Sequence, residues 1–257
     1  MKFVRSLLQK AAKSKLAKAA LIGLSVFGYI TFTLRAQELH DNYLFSYVGT
    51  SVYFVMSPQV QGGGSAFTLR YKGKTYGITN AHVCRALAGK PLVLISDFYG
   101  TYITSQKLIS KKYDLCLIEA PQDDHGLSVS TDISQNQTVW AVGHPQGWPL
   151  TVSNPGHVIM AKTWEIPAIQ GPCPDTLDKS VYQTRQNQFG QVCTLTSNYV
   201  QTTVFIDFGS SGSPMVDFYG NVVGVNTIKD GFNYANFITS EDVVNFLEEE
   251  VLNVPTK

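Results

Sequence analysis

From Val52 onward, short runs of β-branched and aromatic residues alternate with turn-forming clusters at irregular intervals of about ten residues, as in a sandwich or barrel. Predicted strands cover Val52–Met56, Ala66–Tyr71, Thr75–Thr79, Leu92–Ser96, Tyr102–Leu108 and Leu115–Ala120. The Lys72-Gly73-Lys74 turn makes the second and third a hairpin. A polar stretch, Pro121–Ser134, interrupts the pattern and reads as a linker between two halves. Strand patterns resume at Thr138–Val142, His157–Ala161, Val200–Ile206, Pro214–Phe218 and Val222–Thr227. Between them, Ile166–Val192 carries Pro167, Pro172 and Pro174 and reads as a long polar loop. Only Ser240–Leu252 has a clear helical period in this part of the chain. Ser240 is the expected N-cap, Glu241 and Asp242 suit the helix dipole, and Val243, Phe246, Leu247 and Val251 share one face.

The amino terminus is patterned differently. Lys2, Arg5, Lys10, Lys13, Lys15 and Lys18 precede an uncharged apolar run, Ala19–Leu34, which Arg35 closes. A helix of this run is about 24 Å long against a hydrocarbon core of roughly 30 Å, so spanning would need Leu16 and snorkelling of Lys18 and Arg35. The favoured expectation is a signal anchor that contacts the membrane through residues 19–34. A cleaved signal peptide and a buried helix are the alternatives. Against cleavage, Leu34 stands where a small residue is wanted for a cut after Ala36. The basic flank predicts a cytoplasmic N-terminus with the remaining chain on the non-cytoplasmic side, or secreted if the segment is removed.

Composition narrows the class. Of the 257 residues 44% are apolar, enough to close a substantial core and exclude disorder for most of the chain. Only 15% are charged, against roughly 25% in ordinary soluble domains, while 21 Gly, 13 Tyr and 14 Phe favour strands and tight turns. The fold expected is all-β. A formal charge of +1 hides an asymmetry, because residues 1–36 hold seven basic and no acidic residues and residues 37–257 carry a net −6. No nucleic-acid partner is expected for the globular part.

Three stretches carry candidate chemistry: Thr79-Asn80-Ala81-His82, Tyr113-Asp114-Leu115 and Gly209-Ser210-Ser211-Gly212-Ser213-Pro214. A serine hydroxyl needs an imidazole to accept its proton, and the imidazole needs a carboxylate to hold its tautomer. His82, Asp114 and Ser211 supply that set. The glycines beside Ser211 permit a backbone in which the N–H groups of Gly209 and Ser211 converge as an oxyanion hole.

On these residues the sequence resembles the trypsin-like, chymotrypsin-fold serine peptidases, with His, Asp and Ser in that chain order over roughly residues 48–252. Two further stretches, Trp140–Gly147 and Gly220–Thr227, are similar to the HtrA-type branch. The resemblance implies two packed six-stranded antiparallel barrels, about 45–120 and 135–238, joined by the 121–134 linker and followed by a helix at 240–252. It implies a serine endopeptidase acting on polypeptide, with His82 as base, Asp114 as its orienter and Ser211 as nucleophile. It also makes Gly209 and Ser211 the oxyanion donors, places Asn226, Thr227 and Ile228 along the substrate backbone, and puts Phe205 at the floor of an apolar specificity pocket. No cofactor and no metal is implied, and no PDZ domain is expected. Ser213 and Ser210 depart from common members, which carry a second glycine and, in the digestive branch, an aspartate. A non-hydrolytic binding module and an esterase with the same triad are the alternative functions. The sequence does not specify an oligomeric state.

The remaining reactive residues have simpler readings. His144 is expected at a rim, and His40, His125 and His157 at surface or packing positions. Cys173 and Cys193 bracket the polar loop and are expected to form a disulfide. Cys84 and Cys116 are expected as reduced, small buried hydrophobes, with Cys84 the rival nucleophile.

Overall fold

A computed structural model describes residues 15–121, 125–147, 149–229 and 234–252. Lys2, Arg5, Lys10 and Lys13 of the basic flank and part of the linker lie outside them. The chain divides into two units at Tyr43/Leu44. A 33-residue helix, α1 (Lys15–Tyr47), runs through the predicted anchor and beyond it. Apolar side chains stand exposed along it, among them Ile22, Phe27, Phe32 and Leu34. Among the described residues, however, no helix is long and apolar enough to cross a membrane. The helix forms as expected, but its charge-free run ends at Lys18 and Arg35, and the transmembrane anchor receives no support.

In the second unit the first sheet comprises β1 (Val52–Met56), β2 (Gly63–Tyr71), β3 (Lys74–Thr79), β4 (Leu92–Ser96), β5 (Gly100–Thr104), β6 (Gln106–Ile109) and β7 (Cys116–Ile118), with a short helix, α2 (Ala81–Ala86), after β3. The order is β5-β4-β1-β2-β3-β7-β6. Ser105 alone separates the two outermost strands, so one bent strand supplies both ends and the sheet returns on itself as a six-stranded barrel. Lys72 and Gly73 both have positive φ (47° and 77°), the two-residue turn that matches strand twist in a hairpin.

The second sheet contains β8 (Thr138–Gly143), β9 (Thr151–Val152), β10 (Gly156–Gln170), β11 (Tyr182–Asn187), β12 (Gly190–Thr202), β13 (Pro214–Val216), β14 (Val222–Lys229) and β15 (Ala235–Thr239). Its path β10-β12-β15-β14-β13-β8 is closed by pairing of Gly156 with Val139 and His157 with Thr138. Six strands therefore form the expected second barrel, and β9 and β11 are additions. The chain ends in α3 (Ser240–Phe246), which continues as a π-helical turn through Val251.

Strand alternation divides the core. In β8, Val139 and Ala141 point into the second barrel, whereas Trp140 and Val142 join a cluster shared by both barrels. In β2, Ala66 packs inside the first barrel while Phe67 and Leu69 enter the shared cluster. Because both faces are buried, these strands read as nearly continuous apolar runs. The linker is tied down too: Leu127 bridges to Leu69, and Val129 bridges to Val222.

Three local expectations differ from the structure. The 166–192 loop is largely sheet, since β10 pairs with β12 as far as Gln170↔Val192 and β11 pairs with β12 from Tyr182↔Leu195 to Asn187↔Gly190. Its faces are mostly exposed and polar, held by contacts such as Arg185 Nε to Glu165 Oε1 at 2.7 Å, so no apolar alternation marks them. Thr239 rather than Ser240 caps α3, accepting the Asp242 N–H at 3.1 Å, while Ser240 Oγ donates to the Ser130 carbonyl. Glu241 and Asp242 stand in the first turn as expected, and burial of Asp242 pushes its carboxyl up to about 6.

The third difference lies in the cysteines. Cys173–Cys193 is bonded as expected, but Cys84–Cys116 is bonded as well. Burial of the second pair is as expected; its redox state is not, because the Thr79↔Cys116 register sets β7 beside the α2 entry and brings the two Cα atoms to 6.5 Å. Reduction is expected to lower the unfolding free energy by about 3 kcal/mol for each loop opened, read from urea titrations with and without dithiothreitol.

Candidate active site

The same register builds the first half of the site. β3 ends at Thr79, and His82 lies in the first turn of α2. Asp114 precedes β7, whose Cys116 faces Thr79. Asn80 Nδ2 donates to the Asp114 carbonyl at 3.0 Å and fixes the loop. The Asp114 carboxylate is buried and accepts three hydrogen bonds. Oδ1 takes the His82 backbone N–H at 2.9 Å, and Oδ2 takes His82 Nδ1 at 2.7 Å and Thr227 Oγ1 at 2.6 Å. Burial pushes this carboxyl up, but the His82 charge and hydrogen bond, with the bonds from Thr227 and the His82 backbone, outweigh it and hold Asp114 below the usual carboxylate range. On His82 burial is again the largest influence and pulls downward, yet Asp114 outweighs it and holds the imidazole above its ordinary 6.5. With Nδ1 donating to the carboxylate, neutral His82 presents the lone pair of Nε2 as a base.

Most peptide groups of the Ser211 loop are hydrogen-bonded. The Phe208 carbonyl accepts the Gln146 N–H, and the Gly209 carbonyl accepts Ser65 Oγ–H at 2.9 Å. The Ser210 carbonyl accepts the Ser213 N–H at 2.9 Å, and the Ser211 carbonyl accepts the Ser65 N–H at 2.7 Å. Ser210 N–H donates to the Asp207 carbonyl and Gly212 N–H to that of Asn226. Among the described residues, the N–H groups of Gly209 and Ser211 are the two in this loop left without a hydrogen-bond partner. A trans peptide points its N–H opposite its carbonyl, so anchoring Phe208 on Gln146 turns the Gly209 N–H away from that wall. Two such free donors beside one serine are what stabilisation of a tetrahedral oxyanion requires. Gly209 has φ +89°, and a Cβ there would lie 2.4 Å from the His144 carbonyl oxygen, so glycine alone fits. Ser213 is accommodated as well: it is fully buried, with the glycine at 143 leaving room for its Cβ.

His82, Asp114, Gly209, Ser211, Thr227 and Ile228 line one cleft of about 1110 Å³. Apolar side chains dominate its remaining walls, including Phe54, Met56, Val60 and Leu87 from the first barrel and Ile166, Pro167, Ala168 and Phe208 from the second. Ser211 Oγ donates to the Thr227 carbonyl at 3.2 Å, so the hydroxyl must turn towards the imidazole before its proton can be transferred. β13 pairs with β14 only as far as Val225, and among the described residues no strand pairs with Thr227–Lys229 on that side.

Other predicted residues fall elsewhere. Asn226 is fully buried and contributes its backbone to the Ser211 loop, outside the cleft lining. Phe205 is 64% exposed, carries Lys229 Nζ 4.7 Å from its ring centre, and borders a separate cavity of about 190 Å³. His144 is completely buried rather than on a rim, with Nε2 3.2 Å from Asp97 Oδ1. Cys84, being disulfide-bonded, has no thiol to offer as a nucleophile. Sequence reasoning missed Ser65, Asn80 and Gln146 and gave Thr227 no bond to Asp114. Their contacts join residues distant in sequence: Asn80 and Gln146 stand in the quoted stretches with no role assigned, and Ser65 is marked only by the Gly62-Gly63-Gly64 run before it.

The family model described as "Trypsin-like peptidase domain" matches residues 64–225. The serine protease Do-like HtrA of Bacillus subtilis (strain 168) is 29% identical over 201 residues, covering 73% of this chain and 39% of its own length. The mitochondrial serine protease HTRA2 of Bos taurus is 30% identical over 188 residues, covering 72% of this chain and 35% of its own. The chain thus spans under half the length of these curated relatives. Among solved structures, the active form of the Rv3671c protease from M. tuberculosis superposes with a TM-score of 0.64 at 18% identity, over 81% of this chain and 84% of that one. Deg5 gives 0.58 at 23% identity, over 82% and 95%. At these identities the structural likeness speaks for the fold, while the family match spans most of both barrels: the chain belongs to the trypsin-like peptidase family, and its curated relatives are of the HtrA type.

Proposed function

We propose that the protein is a serine endopeptidase in which His82, Asp114 and Ser211 act as one catalytic unit. The observation that carries the proposal is the hydrogen-bonded pair of buried Asp114 and partly exposed His82, sharing one cleft with Ser211 and two unpaired N–H donors. An extended polypeptide adds as a strand to the open edge at Thr227–Ile228, which places its scissile carbonyl at the Ser211 loop. Ser211 Oγ attacks the carbonyl carbon while His82 Nε2 takes the hydroxyl proton, and Gly209 N–H and Ser211 N–H hold the developing oxyanion. His82 then gives the proton to the leaving amine, and an acyl-enzyme remains. Water, deprotonated by the same imidazole, cleaves the ester and restores Ser211. Asp114 remains ionised throughout and stabilises the imidazolium.

Fluorescein-labelled casein tests this reading. Release of internal peptides by the wild type, lost in the Ser211→Ala protein, is the expected outcome; correct folding without cleavage would favour a binding module. Because only neutral imidazole accepts the proton, activity should rise with pH through the His82 pKa, which Asp114 holds above 6.5. A kcat/KM profile already on its plateau well below pH 6.5 would contradict that ordering. Two disulfides support a further part of the proposal, that the domain works in an oxidising, non-cytoplasmic compartment. No membrane tether is included.

A further inference from the structure

We infer that Ser65 is a positioning residue for the oxyanion hole, holding the Ser211 loop from the opposite barrel; the inference rests on the proposal that Ser211 is the nucleophile. Ser65 lies on β2 and is fully buried. Its N–H donates to the Ser211 carbonyl at 2.7 Å, and its hydroxyl donates to the Gly209 carbonyl at 2.9 Å. The same oxygen accepts the His144 N–H at 3.0 Å. One residue of the first barrel therefore fixes peptide groups on both sides of the Ser211 N–H and also holds the β8 end that leads to Gln146.

The hydroxyl matters because Gly209 cannot hold its own conformation. Without a Cβ, its ψ is set by whatever grips its carbonyl, and that grip is Ser65 Oγ. Removing the hydroxyl leaves the Gly209 carbonyl and the His144 N–H without this partner and frees the Gly209–Ser210 peptide to rotate. The backbones are also in direct contact: a Cβ on Gly212 would lie 2.1 Å from the Ser65 carbonyl oxygen. A small displacement of β2 is therefore transmitted to the loop. Ser65 touches no reacting atom, so its effect belongs in the rate of the chemical step and not in binding or in the His82 titration.

Fluorophosphonate inactivation reads this directly, since the phosphoryl oxygen must enter the same two donors. For Ser65→Ala, kinact should fall on the order of 10-fold to 100-fold, somewhat less than loss of a direct oxyanion donor, with KI and the pH dependence of kinact unchanged. Ser65→Cys, whose thiol donates weakly from the same place, should fall between the two. Thr68→Val is the control: it removes another buried hydroxyl of β2, bonded to the His125 carbonyl at 2.7 Å, and should lower thermal stability while leaving kinact intact. Wild-type kinact in Ser65→Ala, or an equal loss in Thr68→Val, would overturn the inference. If Ser65→Ala does not fold, Ser65→Cys decides alone, reduced kinact supporting the inference and wild-type kinact overturning it. Labelling that persists in Ser211→Ala would defeat the underlying proposal instead, a different result from normal labelling of the Ser65 variants.

Discussion

Ser211→Ala is expected to lower kcat by on the order of 10⁶ while leaving the fold intact. The side chain it removes makes one hydrogen bond, to the Thr227 carbonyl, and packs no core, so thermal unfolding should move little. His82→Ala should cost about as much. The double variant should be hardly worse than either, because losing one partner already prevents proton transfer to and from the nucleophile. Additive losses measured on casein would mean that the two residues do not act as a unit. Residual cleavage above the uncatalysed rate is expected in each variant, because Gly209 N–H and Ser211 N–H remain.

Asp114→Asn is expected to cost on the order of 10⁴ in kcat. All three side-chain bonds of Asp114 are accepted from donors: the His82 N–H, His82 Nδ1 and Thr227 Oγ1. An amide presents NH₂ on one side, so whichever way it turns, a donor meets a donor. With NH₂ towards Nδ1 the imidazole must move its proton to Nε2, the position that should accept from Ser211. With NH₂ towards the backbone, the first turn of α2 loses its anchor. The pH profile should change as well. Asp114 is what raises the His82 pKa against burial, so with the charge gone the rising limb should move to lower pH. A variant with reduced kcat and an unmoved limb would show that Asp114 does not control the imidazole.

The barrels were legible because both faces of the inner strands are buried, as at Phe67 and Ala66 or Trp140 and Val142, which leaves apolar runs that turns such as Lys72-Gly73 punctuate. The β10–β11–β12 extension was not, since Thr184, Arg185 and Gln186 stand in solvent and their pairing rests on backbone bonds that impose no pattern on the side chains. At the site, His82, Asp114 and Ser211 were readable because their chemistry demands those residue types. Their supports were not: any small polar residue satisfies a local reading of position 65, and only the approach of β2 to the Ser211 loop and to the end of β8 gives it three partners. Burial of Cys84 and Cys116 was legible and their bond was not, since pairing depends on the β3–β7 register.

Mapping the residue that a fluorophosphonate modifies decides whether Ser211 is a nucleophile activated by His82. A single adduct is expected on the peptide containing Ser211 in the wild type, formed faster as pH rises through the His82 pKa, with no adduct in Ser211→Ala. An adduct of undiminished rate on the Ser211→Ala protein, or one mapped to another residue of the wild type, would contradict it.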